Sequence, residues 1–157
     1  MPLTPEEYAR VSAQAVAEYP AECCGVVLAR GASPNERLFL PCRNVQDDLH
    51  RKDPERHPRD ARTAYYIDPR DLLTIGRREA EGYRVATIYH SHIDTGAYFS
   101  ETDKRNALVD GEPAYPDAVY VVISVMGGRA NGANAFAWDA ARRDFLPLEF
   151  TVPAAAQ

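Results

Sequence analysis

The sequence lacks any apolar run near the roughly 18 residues that a membrane-spanning helix requires, so no membrane partner is expected. It also lacks an excess of positive charge. The net charge of -5 at pH 7 argues against a dedicated nucleic-acid-binding protein, which normally has a basic face. The first residues, Met1-Pro2-Leu3-Thr4, have neither the basic start nor the apolar segment of a signal peptide. A cytoplasmic location is therefore expected.

Cysteine is also scarce. The chain has three cysteines, Cys23, Cys24 and Cys42, and no C-x-x-C spacing. An odd count that includes two adjacent residues argues against a disulfide framework. We expect free thiols in or near the core, while a cysteine nucleophile and a thiolate zinc ligand remain the alternatives.

The length of 157 residues suits a single domain with one core, residues 1–157. Apolar patterns and turn signals predict helices that begin at Thr4, Asp68 and Ser100, and strands at residues 22–29, 37–42, 65–67, 84–92, 118–125, 133–138 and 145–152. This order predicts a mixed α/β domain of the α+β type, built on a largely antiparallel or mixed sheet. The tail, residues 153–157, is expected to be frayed.

Residues 44–63 differ from the rest of the chain. They contain two prolines, His50, His57 and charges of both signs, without an apolar period. We predict a mobile, locally basic surface loop. Irregular loops of this length are uncommon in a compact domain, so the loop calls for an explanation. The loop is either simply solvated or a flap that contacts a partner protein. Its basic residues are Arg51, Lys52, Arg56, Arg59 and Arg62.

The residues that suggest chemistry are concentrated between Tyr89 and Asp103. His90 and His92 are two of the four histidines. On a strand they project from one face, with their Cα atoms about 6.5–7 Å apart. Imidazoles at this spacing can share a zinc ion through Zn–N bonds of about 2.0–2.1 Å. Asp103, in the first turn of the next helix, can add an oxygen ligand, which leaves the fourth position of a catalytic site to water.

Each of these features also has an ordinary alternative. Taken alone, the histidine pair is more often two ordinary histidines than a metal site. Ser100 could donate to the oxyanion of a tetrahedral intermediate, but Ser100 and Asp103 also fit a helix capping box. Glu22 alone could be a surface carboxylate at the start of a strand.

Taken together, the residues resemble a known family. His90-Ser91-His92, seven residues, Ser100, two residues and Asp103 resemble the H-x-H-x(7)-S-x-x-D signature of the JAMM/MPN zinc metallopeptidases. Glu22, in Glu-Cys-Cys-Gly, is similar to the upstream glutamate of that family, and this wording resembles its small stand-alone bacterial members. The resemblance implies an MPN/cytidine-deaminase-like mixed sheet flanked by helices. Two positions depart from the family, because Ile93 and Phe99 stand where many members have proline.

The resemblance also implies a site and an activity. His90, His92 and Asp103 would hold one zinc ion per chain, Glu22 would be the general acid/base acting on a zinc-activated water, and Ser100 would stabilise the oxyanion. The implied function is that of a peptidase or isopeptidase acting at the C-terminus of a ubiquitin-like sulfur-carrier protein or its adduct. A substrate tail would add as an extended strand beside residues 84–92.

Three questions stay open at this level. The alternative functions are a non-catalytic MPN-type interaction module and a zinc amidohydrolase for small peptides. Fe(II) also suits a set of two histidines and one carboxylate. The oligomeric state is not predicted.

Overall fold

The computed structural model describes residues 1–31 and 35–152 of the chain. Within these ranges the helices are α1 (Pro5–Glu18), α2 (Gln46–Lys52), α3 (Pro69–Ala80) and α4 (Glu101–Asn106). The strands are β1 (Cys24–Arg30), β2 (Arg37–Cys42), β3 (Tyr83–Ile93), β4 (Leu108–Val109), β5 (Glu112–Pro113), β6 (Val119–Met126), β7 (Arg129–Asp139) and β8 (Asp144–Leu148). None of the helices in the described part of the chain is long and apolar enough to cross a membrane.

Six of the strands form one sheet, in the order β2-β1-β3-β6-β7-β8. The central strands β3 and β6 are parallel, while the other neighbouring pairs in this sheet are antiparallel. The connection from β3 to β6 contains α4 and the small hairpin of β4 and β5. A mixed sheet flanked by helices confirms the predicted fold class.

The core lies on both faces of this sheet. On one face α1 buries Val11 and Ala15 in a cluster with Tyr89 of β3. On the other face Ile75 of α3 packs in a second cluster with Ile88 of β3. Strand β6 is buried from the second to the seventh of its eight positions, because both clusters draw on its side chains. The β-branched sequence of residues 118–125 predicts a central strand covered on both faces, and β6 confirms it.

A β-bulge changes the expected alternation of side chains along β3. Val27 of β1 is paired with Thr87, but the next residue of β1 is paired with Val85, so Ala86 is the extra residue. Val85 consequently shares a cluster with Ile88 rather than with Tyr89. Regular alternation along residues 84–92 predicts Val85 on the face of Thr87 and Tyr89, and the bulge makes this prediction wrong.

Strand β3 has neighbours on both sides. It pairs with β1 from Tyr83 to His90 and with β6 from Thr87 to Ile93. The backbone of the next residue, Ser91, bonds to Cys23, since the Ser91 amide donates to the Cys23 carbonyl at 3.1 Å. Both edges of the strand are therefore occupied from Thr87 to Ser91, and the expected addition of a substrate tail is wrong for this part of residues 84–92.

Segment 44–63 contains helix α2, so the prediction of an irregular loop is wrong for its residues 46–52. The helix begins with acidic residues and ends with basic ones, which favours it through the helix dipole without any apolar stripe. Buried contacts also hold the segment, since the Ala61 amide donates to Asp47 Oδ1 at 2.7 Å and the Ala61 carbonyl accepts from the Glu22 amide at 2.7 Å. Whether the segment is mobile stays a prediction.

Two further predictions concern short segments. The predicted strand at residues 65–67 is reduced to one isolated bridge between Asn44 and Ile67. The predicted frayed tail, residues 153–157, lies outside the described residues.

The cysteines are all free and buried, which confirms the prediction of free thiols in the core. Burial raises the pKa of Cys23 and of Cys42 to about 12. These thiols therefore stay protonated near neutral pH, and a thiolate is the form that acts as a nucleophile or metal ligand.

Gly25 of β1 lies directly opposite Tyr89 of β3. A Cβ atom at this position would overlap the hydroxyl group and ring of Tyr89. Tyr89 is fully buried, and its hydroxyl donates to Gln14 Oε1 at 2.5 Å. The glycine therefore leaves the space that the tyrosine ring needs between the sheet and α1.

We predict that Gly25→Ala lowers the free energy of unfolding by about 1–3 kcal/mol, the usual cost of overpacking a core. Urea unfolding measures this change. Gly76→Ala is the matched control, because Gly76 lies in α3 with open space around the new Cβ. The free energy of unfolding of the Gly76 variant should equal that of the wild type or exceed it by up to about 1 kcal/mol. Equal stability of the Gly25 variant and the wild type would contradict the predicted clash.

Candidate metal centre

His90 and His92 lie near the end of β3, where the strand leaves the sheet. Both are buried, at 0% and 4% exposure. Their Nε2 atoms are 3.3 Å apart. Asp103 Oδ2, in the first turn of α4, lies 3.2 Å from His90 Nε2 and 3.1 Å from His92 Nε2.

These three atoms have the spacing of ligands around one small ion. A tetrahedral ion with bonds of about 2.0–2.1 Å separates its ligand atoms by roughly 3.3–3.4 Å. Two imidazole nitrogens and a carboxylate oxygen at such distances repel one another unless a proton or a cation lies among them. The donor set therefore fits a divalent cation with nitrogen and oxygen ligands.

The capping box of α4 orients the Asp103 carboxylate. Ser100 Oγ accepts from the Asp103 amide at 3.0 Å, and Asp103 Oδ2 accepts from the Ser100 amide at 3.0 Å. The two alternative interpretations of this pair are thus compatible, because the helix cap aims the same oxygen at the histidines. Burial alone would raise the pKa of Asp103, but the charges and hydrogen bonds of the histidines and the Ser100 amide outweigh it and hold this pKa well below its usual range.

Glu22 comes from the segment between α1 and β1, two residues before β1 begins, rather than from the strand itself. Ser91, between the two histidines, fixes this segment to β3, since its Oγ accepts from the Cys23 amide at 2.7 Å. A carboxylate oxygen of Glu22 and a ring nitrogen from each of His90 and His92 all lie within 4.8 Å of one another. These three buried residues form a group that could hold a metal ion.

The Glu22 carboxylate is buried with unusual electrostatics. It is 4% exposed, and its Oε1 has no hydrogen-bond partner among the residues that the structure describes. Burial first, and then the negative charge of Asp103, raise the pKa of Glu22 to about 9, although Arg59 acts to lower it. An unpaired buried oxygen beside two histidines is the kind of group that a bound cation or a water would satisfy.

Other groups set the orientation of the rings. His92 Nδ1 lies 3.0 Å from the Gly96 carbonyl oxygen, to which a protonated Nδ1 donates, so a neutral His92 keeps a lone pair on Nε2. Tyr65 stacks on His90 with ring centroids 4.5 Å apart. Neither contact was predicted from the sequence, because Gly96 contributes a backbone atom and Tyr65 arrives from a distant segment.

A cavity of about 260 Å³ opens beside the cluster. Its walls include Glu22, His92 and Ser100, so three of the five predicted site residues share one space. Sequence reasoning missed the arginines around this cavity as site residues. It noted only that segment 44–63 is basic. The arginines that line the cavity are Arg59, Arg62 and Arg105.

The fold and this cluster agree with the comparison to known families. The chain belongs to the prokaryotic homologs of the JAB domain, whose family model matches residues 4–141. The resemblance to JAMM/MPN proteins inferred from the His-x-His, serine and aspartate spacing is thereby confirmed.

The relatives of this chain include the CysO-cysteine peptidase of Mycobacterium tuberculosis, which is 33% identical over 113 residues. That alignment covers 71% of this chain and 64% of the peptidase. The tail tip assembly protein K of Escherichia phage N15 is 38% identical over 95 residues, 60% of this chain and 31% of that protein. This chain therefore spans less than two thirds of the length of these relatives.

Solved structures support the fold alone. A solution structure of a protein from Desulfitobacterium hafniense matches with a TM-score of 0.64 at 21% identity, over 93% of this chain and 88% of that one. A solution structure of a protein from Salinibacter ruber matches with a TM-score of 0.61 at 23% identity, over 98% and 92%.

The raised pKa of Glu22 leads to a prediction for the metal-free protein. A carboxyl group with a higher pKa in the folded than in the unfolded state binds its proton more tightly when folded. Its contribution to the free energy of unfolding therefore falls as the pH rises from about 5 toward 9. Glu22→Gln removes this titration, so the variant should gain stability relative to the wild type across this range. Urea unfolding at a series of pH values, with a chelator present, measures the difference.

Glu101→Gln is the control for this experiment, because Glu101 lies on the same cavity but is exposed. The Glu101 variant should follow the wild type at every pH. A difference between Glu22→Gln and wild type that is constant from pH 5 to 9 would contradict the perturbed titration of Glu22.

Proposed function

We propose that this chain is a zinc-dependent peptidase that cleaves a peptide or isopeptide bond at the C-terminus of a ubiquitin-like sulfur-carrier protein in the cytoplasm. The observation that carries the proposal is the meeting of His90 Nε2, His92 Nε2 and Asp103 Oδ2 within 3.3 Å. The name of the mycobacterial relative, a CysO-cysteine peptidase, supports the substrate class. Three buried free thiols suit a reducing compartment.

In this proposal His90, His92 and Asp103 hold the zinc ion. When bound, zinc supplies Lewis acidity, which lowers the pKa of a water molecule and polarises a substrate carbonyl. Zinc is preferred to Fe(II) because three ligand atoms at these separations suit a tetrahedral site with one open position. A water molecule in this site would give a hydrogen-bond partner to Glu22 Oε1, which has none within the described ranges.

Glu22 is then the general base and acid of the reaction. Its buried carboxylate takes a proton from the attacking water and delivers it to the leaving amine nitrogen. The reaction requires the ionised form of Glu22, whereas burial favours the neutral form. The positive charge of Arg59 lowers the pKa of Glu22, which favours the ionised form that acts as the base.

Ser100 stabilises the developing negative charge on the carbonyl oxygen. Its Oγ accepts a hydrogen bond from the Asp103 amide, so its own hydroxyl proton is free to be donated. Ser100 lines the same cavity as Glu22 and His92, which supports its proposed role as a donor to a substrate carbonyl.

The metal ligands can be tested by metal content. His92→Ala and Asp103→Ala should each lose zinc, because either change removes one of three ligands. Elemental analysis after zinc loading and dialysis measures the ratio of zinc to protein. His50→Ala is the control and should keep wild-type zinc, since His50 Nδ1 instead contacts the His57 carbonyl at 2.7 Å. Stoichiometric zinc in both ligand variants would place the metal elsewhere.

Catalysis can be tested with Glu22→Gln, which keeps the size of the side chain and removes the base. The variant should retain zinc but lose about 10²–10⁴-fold in turnover. Mass spectrometry of zinc-loaded protein incubated with sulfur-carrier fusions measures both the rate and the cleaved bond. Glu101→Gln, on the rim of the same cavity, should cleave at the wild-type rate.

The outcomes of this experiment separate the alternatives. Near-normal turnover of Glu22→Gln would show that Glu22 is not the base. Failure of the zinc-loaded wild type on every fusion and peptide would favour a non-catalytic MPN-type interaction module. Cleavage of short peptides without cleavage of a folded fusion would favour a small amidohydrolase.

A further inference from the structure

Asp94 directly follows the last residue of β3, two positions after His92, and the neighbouring strand β6 holds it there. Its amide donates to the Val125 carbonyl at 2.7 Å, and its Oδ1 accepts from the Gly127 amide at 2.8 Å. Its φ of 55° lies in the left-handed region, which aspartate adopts more readily than most residues. The sheet therefore fixes the Asp94 carboxylate relative to His92.

The second carboxylate oxygen of Asp94 contacts two other parts of the chain. Asp94 Oδ2 accepts from the Tyr19 hydroxyl at 2.8 Å and lies 3.1 Å from Arg62 Nη2. Tyr19 is the C-cap residue of α1, whereas Arg62 belongs to segment 44–63 and lines the cavity of the candidate metal centre. One oxygen atom thus joins the end of α1 and segment 44–63 to the end of the strand that carries the histidines.

Both of these parts of the chain lead to Glu22. Tyr19 precedes Glu22 by three residues. Arg62 directly follows Ala61, whose carbonyl accepts from the Glu22 amide at 2.7 Å. The two chain segments that Asp94 Oδ2 contacts therefore meet at the backbone of Glu22.

Segment 44–63 also bonds to the carbonyl group of Glu22. Asn44 Nδ2 donates to this carbonyl at 2.9 Å, so both backbone polar groups of Glu22 are bonded to the same segment. The Glu22 carboxylate itself has no hydrogen-bond partner for Oε1 within residues 1–31 and 35–152. Its distance from the histidines therefore depends on how its backbone is held.

We propose that Asp94 is a positioning residue, which holds Glu22 at its working distance from the metal centre through Tyr19 and Arg62. This inference rests on the proposed peptidase function. A shift of about 1 Å in a reacting group can reduce a rate on the order of 100-fold, so weak contacts are enough to control turnover. The Arg62–Asp94 ion pair is partly exposed, at 55% and 34%, and such pairs contribute little to global stability.

A different role for Asp94 would be to hold the loop from His92 to Ser100. The bond from Gly127 to Oδ1 serves that role, because it connects this loop to the turn after β6. The two partners of Oδ2 can be removed without changing Asp94 or its bond to Gly127. Variants of these partners therefore separate the positioning of Glu22 from the positioning of the loop.

The test compares two zinc-loaded variants. Tyr19→Phe/Arg62→Gln removes both partners of Oδ2, and Asp94→Gly removes the carboxylate at a positive φ that glycine adopts without strain. In each, kcat on a sulfur-carrier fusion should fall about 10–100-fold, while KM and the ratio of zinc to protein stay within about twofold. Glu81→Gln is the matched control and should keep the wild-type kcat, because Glu81 forms an exposed ion pair with Arg78 at 3.0 Å on α3, away from this centre.

The split between kcat and KM decides between placement of the base and contact with substrate. A higher KM with an unchanged kcat in Tyr19→Phe/Arg62→Gln would overturn the inference, because Arg62 would then contact the substrate directly. Loss of zinc in this variant would also overturn it, since the metal ligands would then depend on the same contacts.

A double-mutant cycle shows whether Asp94 acts through Glu22. In the Glu22→Gln background, Asp94→Gly should change the residual turnover by less than about twofold, because the group that it positions is already absent. The same proportional loss in both backgrounds would overturn the inference, because Asp94 would then act on another part of the site.

Hydrogen exchange gives a readout that does not depend on activity. The Glu22 amide should exchange about 10-fold faster in Tyr19→Phe/Arg62→Gln than in the wild type, because its acceptor on Ala61 is held less firmly. Amides of β6 should exchange at unchanged rates. Equal exchange of the Glu22 amide in the variant and the wild type would overturn the inference.

The two readouts also separate this inference from the proposed function. Cleavage by the wild type, with unchanged kcat in both variants, would overturn the role of Asp94 but leave the peptidase intact. Absence of all cleavage, together with faster exchange of the Glu22 amide in the variant, would contradict the peptidase but support the placement of Glu22 by Asp94.

Discussion

Asp103 Oδ2 lies 3.0 Å from the Ser100 amide nitrogen, 3.2 Å from His90 Nε2 and 3.1 Å from His92 Nε2. The same oxygen therefore caps a helix and completes a set of three atoms that could hold one ion. A free carboxylate would lose rotamer freedom on entering such a buried cluster. The helix cap has already restricted this side chain, so the restriction is part of folding rather than part of metal binding. The cluster thus depends on α4 starting at this position, at the far end of the loop that leaves β3.

Ser91 connects this cluster to Glu22. It is fully buried, its amide donates to the Cys23 carbonyl at 3.1 Å, and its Oγ accepts from the Cys23 amide at 2.7 Å. One side chain and one amide thereby extend the pairing of β1 and β3 past its last regular pair, Cys24 and His90. Glu22 follows directly beyond this link, which explains why a carboxylate about seventy residues upstream in the sequence reaches the histidines.

Patterns within a short stretch of sequence predicted much of the fold and part of the site. The strand of His90 and the start of α4 follow from local signals. The bulge at Ala86 does not, because it depends on how β1 pairs with β3. Helix α2 has no apolar period, since its one buried residue is Gln46. Arg59 joins the cavity only through tertiary contacts, which spacing along the chain does not encode.

The loop between β3 and α4 lacks the prolines that many JAMM/MPN members have at the positions of Ile93 and Phe99, and other contacts take over their role. Phe99 is 7% exposed and packs against Phe136 and Phe145 with ring centroids 5.4 and 5.1 Å apart. Each residue from 94 to 97 is held by at least one hydrogen bond. The Asp94 carboxylate accepts from the Tyr19 hydroxyl and the Gly127 amide. The Thr95 carbonyl accepts from Ser124, the Gly96 carbonyl from His92 and the Ala97 carbonyl from Asn134. Proline restricts a loop by limiting its unfolded states, whereas these contacts restrict it in the folded state. The geometry around His92 and Ser100 therefore does not require either proline.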